Sequence, residues 1–397
     1  MPVHSLIDKY TDKLSQVPKQ VIKNTLIVSG SLLYSQGVNL NKAKDFVPLV
    51  TGKRTNQASG DYKRLIRYFD QGTINNEEDR ANYKILMNYL RTLCWLVLFH
   101  QKSGKRRFSE KQIKYLLLDG TKWDFGCHSI HLLTLCIVLD EVAIPIWWED
   151  LEKAGHSSQA ERIAYLKAAM VCYDFANMTL IADREYIGYE WFKWLDEQNI
   201  RFIVRLKEGI YHDEINGEKG LSWVQLKAKA EKKKAGQKVC KRIKFQDLEL
   251  FYIILKNPRP DAEDEFIYLL TSWKSPTQAA RIYEIRWQIE VCFKHLKSNG
   301  LRLEQMSVRG KEKRHLMMAV AVFIYILAIR EGIIEESSLN HRVAYKKDKW
   351  TGFEYRAKSI FRKGLSALMR KFRLWSDLLV YIRRIIDAKY YCLIENV

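Results

Sequence analysis

Hydrophobic positions along the chain follow two rhythms, and the change between them divides it into three. In residues 1–108 apolar side chains recur every three or four positions, as at Leu86, Leu90, Leu93 and Val97, with polar loops near 51–60 and 72–76. That period predicts amphipathic helices. From about 113 the pattern turns to short branched runs at 115–118, 131–139 and 142–148, which read as three buried strands. A helical period at 160–170, a strand at 178–182, a helix at 189–198 and a strand at 201–206 follow. Adjacent strands followed by alternating helices and strands predict a mixed α/β sheet.

Between about 208 and 265 the chain becomes polar and Lys-rich, including Lys232, Lys233 and Lys234, yet keeps strand-like pieces at 241–245 and 248–255. This stretch reads as a β-rich insertion. A strand at 266–270 re-enters the core, and Ser275-Pro276 opens a long helix, with Ser275 as N-cap, Pro276 at its first turn and Gly300 as the stop. Beyond 311 the pattern is helical again. The longest apolar run there, 316–329, falls short of the roughly 20 residues of a membrane span and reads as a buried helix, so no membrane is expected as a partner.

Charge sharpens this division. The formal net charge is +20, distributed as +10 over 1–108, +1 over 109–340 and +9 over 341–397. A nearly neutral body between basic flanks suits an enzyme held on a polyanion, since phosphate contacts supply most non-specific affinity for nucleic acid. Lys53, Arg54, Lys63, Arg64 and Arg67 gather around the first polar loop, which suggests a DNA-binding face. Arg362, Lys363, Arg370, Lys371 and Arg373 alternate with apolar positions in a basic amphipathic helix suited to DNA or a partner subunit. Seven cysteines without a Cys-x-x-Cys pair, and a charged start, point to a reduced, cytoplasmic setting.

Two aspartates directly follow strand-like runs: Asp119 after 115–118 and Asp183 after 180–182. On the helix from Pro276, residues Tyr283, Arg286, Glu290, Lys294 and Lys297 are three or four apart and stack as a polar ridge beside an apolar stripe of Ile282, Ile285, Ile289, Phe293 and Leu296. Taken alone, that ridge is equally a salt-bridged surface. His128 and His131, with no carboxylate or cysteine pattern around them, read as polar ends of a strand. Glu185 reads as a supporting or surface charge, and Arg184 as a DNA contact or the partner of an acid.

The spacing Tyr283-x2-Arg286-x3-Glu290-x6-Lys297 resembles the YREK signature of bacterial insertion-sequence transposases of the family numbered four. The segments Leu118-Asp-Gly-Thr-Lys-Trp123 and Ala182-Asp-Arg-Glu-Tyr186 resemble that family's first and second catalytic Asp segments. The resemblance covers about 113–305. It implies a ribonuclease-H-like catalytic domain at 109–310, with the insertion at about 208–265, between a helical DNA-end-binding domain at 1–108 and a helical dimerisation or DNA-contact region at 311–397.

It further implies a DDE transposase in which Asp119, Asp183 and Glu290 are catalytic and hold two Mg²⁺ ions, with Mn²⁺ as a substitute. Carboxylates and water are the oxygen ligands that Mg²⁺ prefers. Tyr283, Arg286, Lys294, Lys297, Arg184, Lys53 and Arg54 are then the expected DNA contacts. The expected partners are double-stranded transposon ends and target DNA, met by a homodimer in a paired-end complex, with cleavage and strand transfer through a hairpin. Tyr268 or Trp273 is the expected base-stacking aromatic. Two alternatives stay open: a nuclease of the same fold without strand transfer, and a non-catalytic DNA-binding protein descended from a transposase.

Overall fold

The computed structural model describes residues 17–53, 58–99, 108–125, 128–153, 155–259, 261–338, 345–350, 352, 354–356 and 359–386. Helices come first: α1 (Lys19–Ser35), α2 (Leu40–Ala43), α3 (Val47–Thr51), α4 (Ala58–Phe69) and α5 (Glu77–Phe99). Then β1 (Tyr115–Phe125), β2 (His128–Leu139) and β3 (Val142–Asp150) form an antiparallel meander. Asp140 and Glu141, both at positive φ, make the two-residue turn between β2 and β3, the hand of turn that matches strand twist.

Two crossovers follow, through α6 (Gln159–Met170) to β4 (Thr179–Ala182) and through α7 (Tyr189–Glu197) to β5 (Arg201–Leu206). β4 lies parallel to β1, and β5 parallel to β4. Ser158 and Glu161 close a reciprocal cap on α6, which fixes where that crossover begins. The order β3-β2-β1-β4-β5 is the ribonuclease-H-like arrangement, and it is the scaffold expected from the sequence.

The Lys-rich stretch differs from the expectation of a β-rich insertion. It carries two helices, α8 (His212–Gly217) and α9 (Trp223–Glu231), before β6 (Lys238–Phe245) and β7 (Leu248–Lys256). Those strands do not form a separate body: β8 (Phe266–Thr271) pairs antiparallel with both β5 and β7, so the eight strands make one sheet ending β5-β8-β7-β6.

The helix predicted from Pro276 is broken in two. α10 (Pro276–Tyr283) and α11 (Trp287–Lys297) are joined by a tighter turn at Glu284–Arg286. Pro276 does occupy the first turn, but the Ser275 side chain makes no capping bond, and the helix stops at Lys297, before Gly300. α11 lies across β1 and β3. Ile289, Phe293 and Leu296 are buried along it, as the apolar stripe requires.

α12 (Lys311–Ser338) is the central helix of the remainder, packed on α5, β3 and α13. It is long and apolar enough to cross a membrane by length and composition, but 94% of its apolar window is buried inside the protein. A short hairpin, β9 (Tyr345–Lys347) with β10 (Glu354–Arg356), interrupts the expected run of helices before α13 (Ile360–Lys371) and α14 (Trp375–Ile385).

α12 and α13 cross at glycines. A Cβ on Gly364 would run into the carbonyl of Ala328, and one on Gly332 into that of Ile360. The N-terminal helices contact the helical region beyond Lys311: Lys313 pairs with Asp70 at 2.6 Å, Lys23 lies over the Trp375 ring, and the Tyr34 hydroxyl donates to the Phe372 carbonyl.

Candidate active site

Two neighbouring parallel strands present the first two acids side by side. Leu118 of β1 is the last residue to pair with β4, opposite Ala182, so Asp119 and Asp183 are the next residue on each strand. Asp119 is therefore not at a strand end, as its sequence suggested. β1 runs on to Phe125 against β2, with Asp119 opposite Thr134, and the acid stands where β4 falls away.

Each aspartate is held in the same way. Gly120 N–H donates to Asp119 Oδ1 at 2.9 Å, and Arg184 N–H donates to Asp183 Oδ1 at 2.8 Å. The second oxygen of each turns to one cation: Arg286 Nη1 lies 3.9 Å from Asp119 Oδ2 and 3.5 Å from Asp183 Oδ2. Arg286 Nη2 also pairs with Glu290 Oε1, one helical turn along. Three acids distant in the chain thus converge on a single guanidinium whose side chain is 14% exposed.

Negative charge is in excess there. Burial, and next the charges of Asp183 and Glu185, raise the Asp119 carboxyl against the pull of Arg286, up to about 7. Glu185 is itself in contact with the imidazole of the exposed His156. A partly buried carboxylate cluster that one cation cannot neutralise is a donor set suited to a divalent ion. With Arg286 between them the acids are not yet a ligand cage: among the described residues no three His, Cys, Asp or Glu side chains are placed to hold a metal ion.

The other ridge residues divide. Tyr283 is buried against the Arg286 guanidinium, 6.0 Å from ring centre to cation, and its hydroxyl has no hydrogen-bond partner among the described residues. Burial and the nearby Asp183 charge raise its pKa. Lys294 is exposed. Lys297 donates to the Lys122 carbonyl at 2.6 Å, bracing the end of α11 against β1. Arg184 pairs with Asp264 at 2.6 Å, an acid it shares with Arg205, which the sequence had not singled out.

Tyr268 and Trp273 are placed as framework residues. Tyr268 is 5% exposed within β8, and the Trp273 indole donates to Thr179 Oγ1 at 3.0 Å while Arg201 covers its ring. An aromatic that sequence reasoning missed is Trp287, 60% exposed between Arg286 and Glu290. Its signal was legible: a tryptophan off the apolar stripe of an otherwise docked helix.

Lys53 is exposed and, with Arg373, flanks a shallow cleft lined by Leu49 and Leu374. Arg54 lies outside the described residues, as does the side chain of His128, while His131 sits within β2 opposite Lys122. The basic C-terminal helix is largely engaged inside the molecule: Lys363, Arg370 and Lys371 pair with Glu336, Glu335 and Glu331 of α12.

The family described as Transposase DDE domain matches residues 101–327, a span that contains all three acids. No curated protein matches the chain. Among solved structures, the chain is similar to the piggyBac transposase in a synaptic complex with hairpin DNA, determined by cryo-electron microscopy. The identity is 11% and the TM-score 0.48, over 92% of this chain and 72% of that one.

Proposed function

Because the chain belongs to the family of transposase DDE domains, we propose that it cuts the terminal inverted repeats of its own element and joins them to target DNA. The observation that carries this reading is the convergence of Asp119, Asp183 and Glu290 on one partly buried guanidinium. The YREK spacing from Tyr283 to Lys297 supports assignment to the insertion-sequence family numbered four.

Asp119, Asp183 and Glu290 would hold two Mg²⁺ ions, or Mn²⁺ in their place. Bound there, the ions supply an activated water, neutralise charge on the phosphoryl group and stabilise the leaving oxygen. The backbone amides of Gly120 and Arg184 keep one oxygen of each aspartate fixed, so the other is aimed before DNA arrives.

In the first step the water oxygen bonds to phosphorus, the bond to the 3′ oxygen breaks and that oxygen leaves as a hydroxyl. The same hydroxyl is the nucleophile for strand transfer, directly or through a hairpin that is reopened. Arg286 and Lys294 grip phosphates around the cut, Tyr283 supports Arg286, and Lys297 positions the helix. Trp287 replaces Tyr268 and Trp273 as the ring that stacks on an unpaired base, because it alone of the three offers an open indole beside the acids. Lys53, Arg54 and the exposed Lys63 and Arg67 contact the duplex along its backbone. Two subunits pair two ends, and the reaction takes place in the cytoplasm on the host nucleoid.

Labelled end DNA incubated with Mg²⁺ and a target plasmid tests this. Wild type should give cleaved ends and joined products. Asp119→Asn and Glu290→Gln should cut on the order of a thousandfold more slowly. Cleavage without joining would identify a nuclease, and binding without cleavage a non-catalytic descendant.

A further inference from the structure

Arg286 is in an unusual position for a residue expected to grip phosphate. Its guanidinium is committed to the three acids, with Asp183 at 3.5 Å, Asp119 at 3.9 Å and Glu290 in direct contact. A second cation cannot join the same oxygens without strong repulsion, because like charges a few ångström apart in a partly buried site are poorly screened. Yet without any cation the three acids, on β1, just after β4 and on α11, would repel one another. We propose that Arg286 is the resident counter-ion of the metal-free site, competing with divalent metal for Asp119, Asp183 and Glu290, so that metal enters only as Arg286 swings out.

The local structure fits a side chain that changes partner. Arg286 ends the tighter turn that breaks the helix between α10 and α11, so its backbone lies outside both regular helices. Tyr283, packed against it, has a buried hydroxyl without a hydrogen-bond partner among the described residues, an acceptor for the guanidinium once it leaves the acids. A DNA phosphate is the other acceptor within the same chemistry, and bidentate Arg–phosphate pairing would hold the arginine away. Phosphate and metal would then favour each other's binding, since each removes the obstacle to the other.

The inference rests on the metal-site reading, and one experiment separates the two. Mn²⁺ alone is titrated into this 397-residue chain without DNA, and the electron paramagnetic resonance signal of free Mn²⁺ reports binding. Thermal melting in EDTA is recorded for the same proteins.

Arg286→Gln removes the competitor, so it should bind Mn²⁺ about tenfold more tightly than wild type, the equivalent of one lost charge-assisted contact. It should also melt lower in EDTA and recover in saturating Mn²⁺. Arg286→Lys, which keeps a charge but has a shorter reach and no fork, should bind a few-fold more tightly, and it decides the question if the Gln variant does not fold.

Affinity equal to or weaker than wild type in these variants would overturn the counter-ion role. Asp119→Asn should lose Mn²⁺ binding. Should it bind as wild type does, or should wild type and Arg286→Gln both fail to bind, the metal-site reading itself falls and the inference with it.

Discussion

Asp119→Asn should make the metal-free protein more stable while it destroys cleavage. The Asp119 side chain is 18% exposed, and burial together with Asp183 and Glu185 outweighs the attraction of Arg286. Moving a carboxyl from its ordinary 3.8 to about 7 disfavours the charged form by about 4 kcal/mol. Between those values the folded state holds more protons than the unfolded chain, so wild-type stability falls as pH rises through the window, and the whole penalty is in place above 7.

Asparagine has nearly the same shape and never ionises. Its advantage over wild type should therefore grow from under about 1 kcal/mol at pH 4 to about 4 kcal/mol at pH 8. Urea denaturation of both proteins in EDTA at those two pH values measures it. Mn²⁺ should reverse the order by stabilising wild type alone. Equal unfolding free energies at pH 8, or an advantage for asparagine that does not change with pH, would refute the reasoning, because the acid would then sit in the fold without electrostatic cost.

Three further outcomes are expected. Gly364→Ala forces a methyl into the Ala328 carbonyl at the α12–α13 crossing, so the helices must part, and the urea midpoint should report a loss of about 3 kcal/mol; an unchanged midpoint would mean the crossing is looser than described. His295 is buried beside Ser359, and burial, followed by the Arg362 and Lys294 charges, holds its pKa down to about 4. The unfolded chain then binds the extra proton first, so this group costs up to about 3 kcal/mol of stability as pH falls from 6.5 to 4, opposite in sign to Asp119. His295→Leu should flatten that part of the pH profile, and parallel profiles would contradict it. Trp287→Ala should weaken binding of an end oligonucleotide with an unpaired base about tenfold, while a fully paired duplex binds as before by fluorescence anisotropy; equal losses on both would remove the stacking role.

Much of the scaffold is legible in the sequence, because local burial writes itself into local pattern. The runs at 115–118, 142–148 and 201–206 became β1, β3 and β5, and the apolar stripe from Ile289 to Leu296 became the buried face of α11. The acids stood out by the same logic, each aspartate at the end of an apolar run and Glu290 on the polar ridge beside that stripe.

What remained hidden depends on contacts between distant segments, on which periodicity is silent. No local feature says that β8 pairs antiparallel with β5 and so carries β7 and β6 into the same sheet, or that Asp119 stands inside a long strand where its neighbour ends. Nor does spacing choose among counter-ions: Arg286 four residues from Glu290 predicts one helical ion pair, and only the arrival of β1 and β4 beneath it makes that cation common to three acids. The chain therefore determined which groups are available and which faces are buried. Tertiary structure decided which of those groups meet, since pairing energies act across space and leave no period in the sequence.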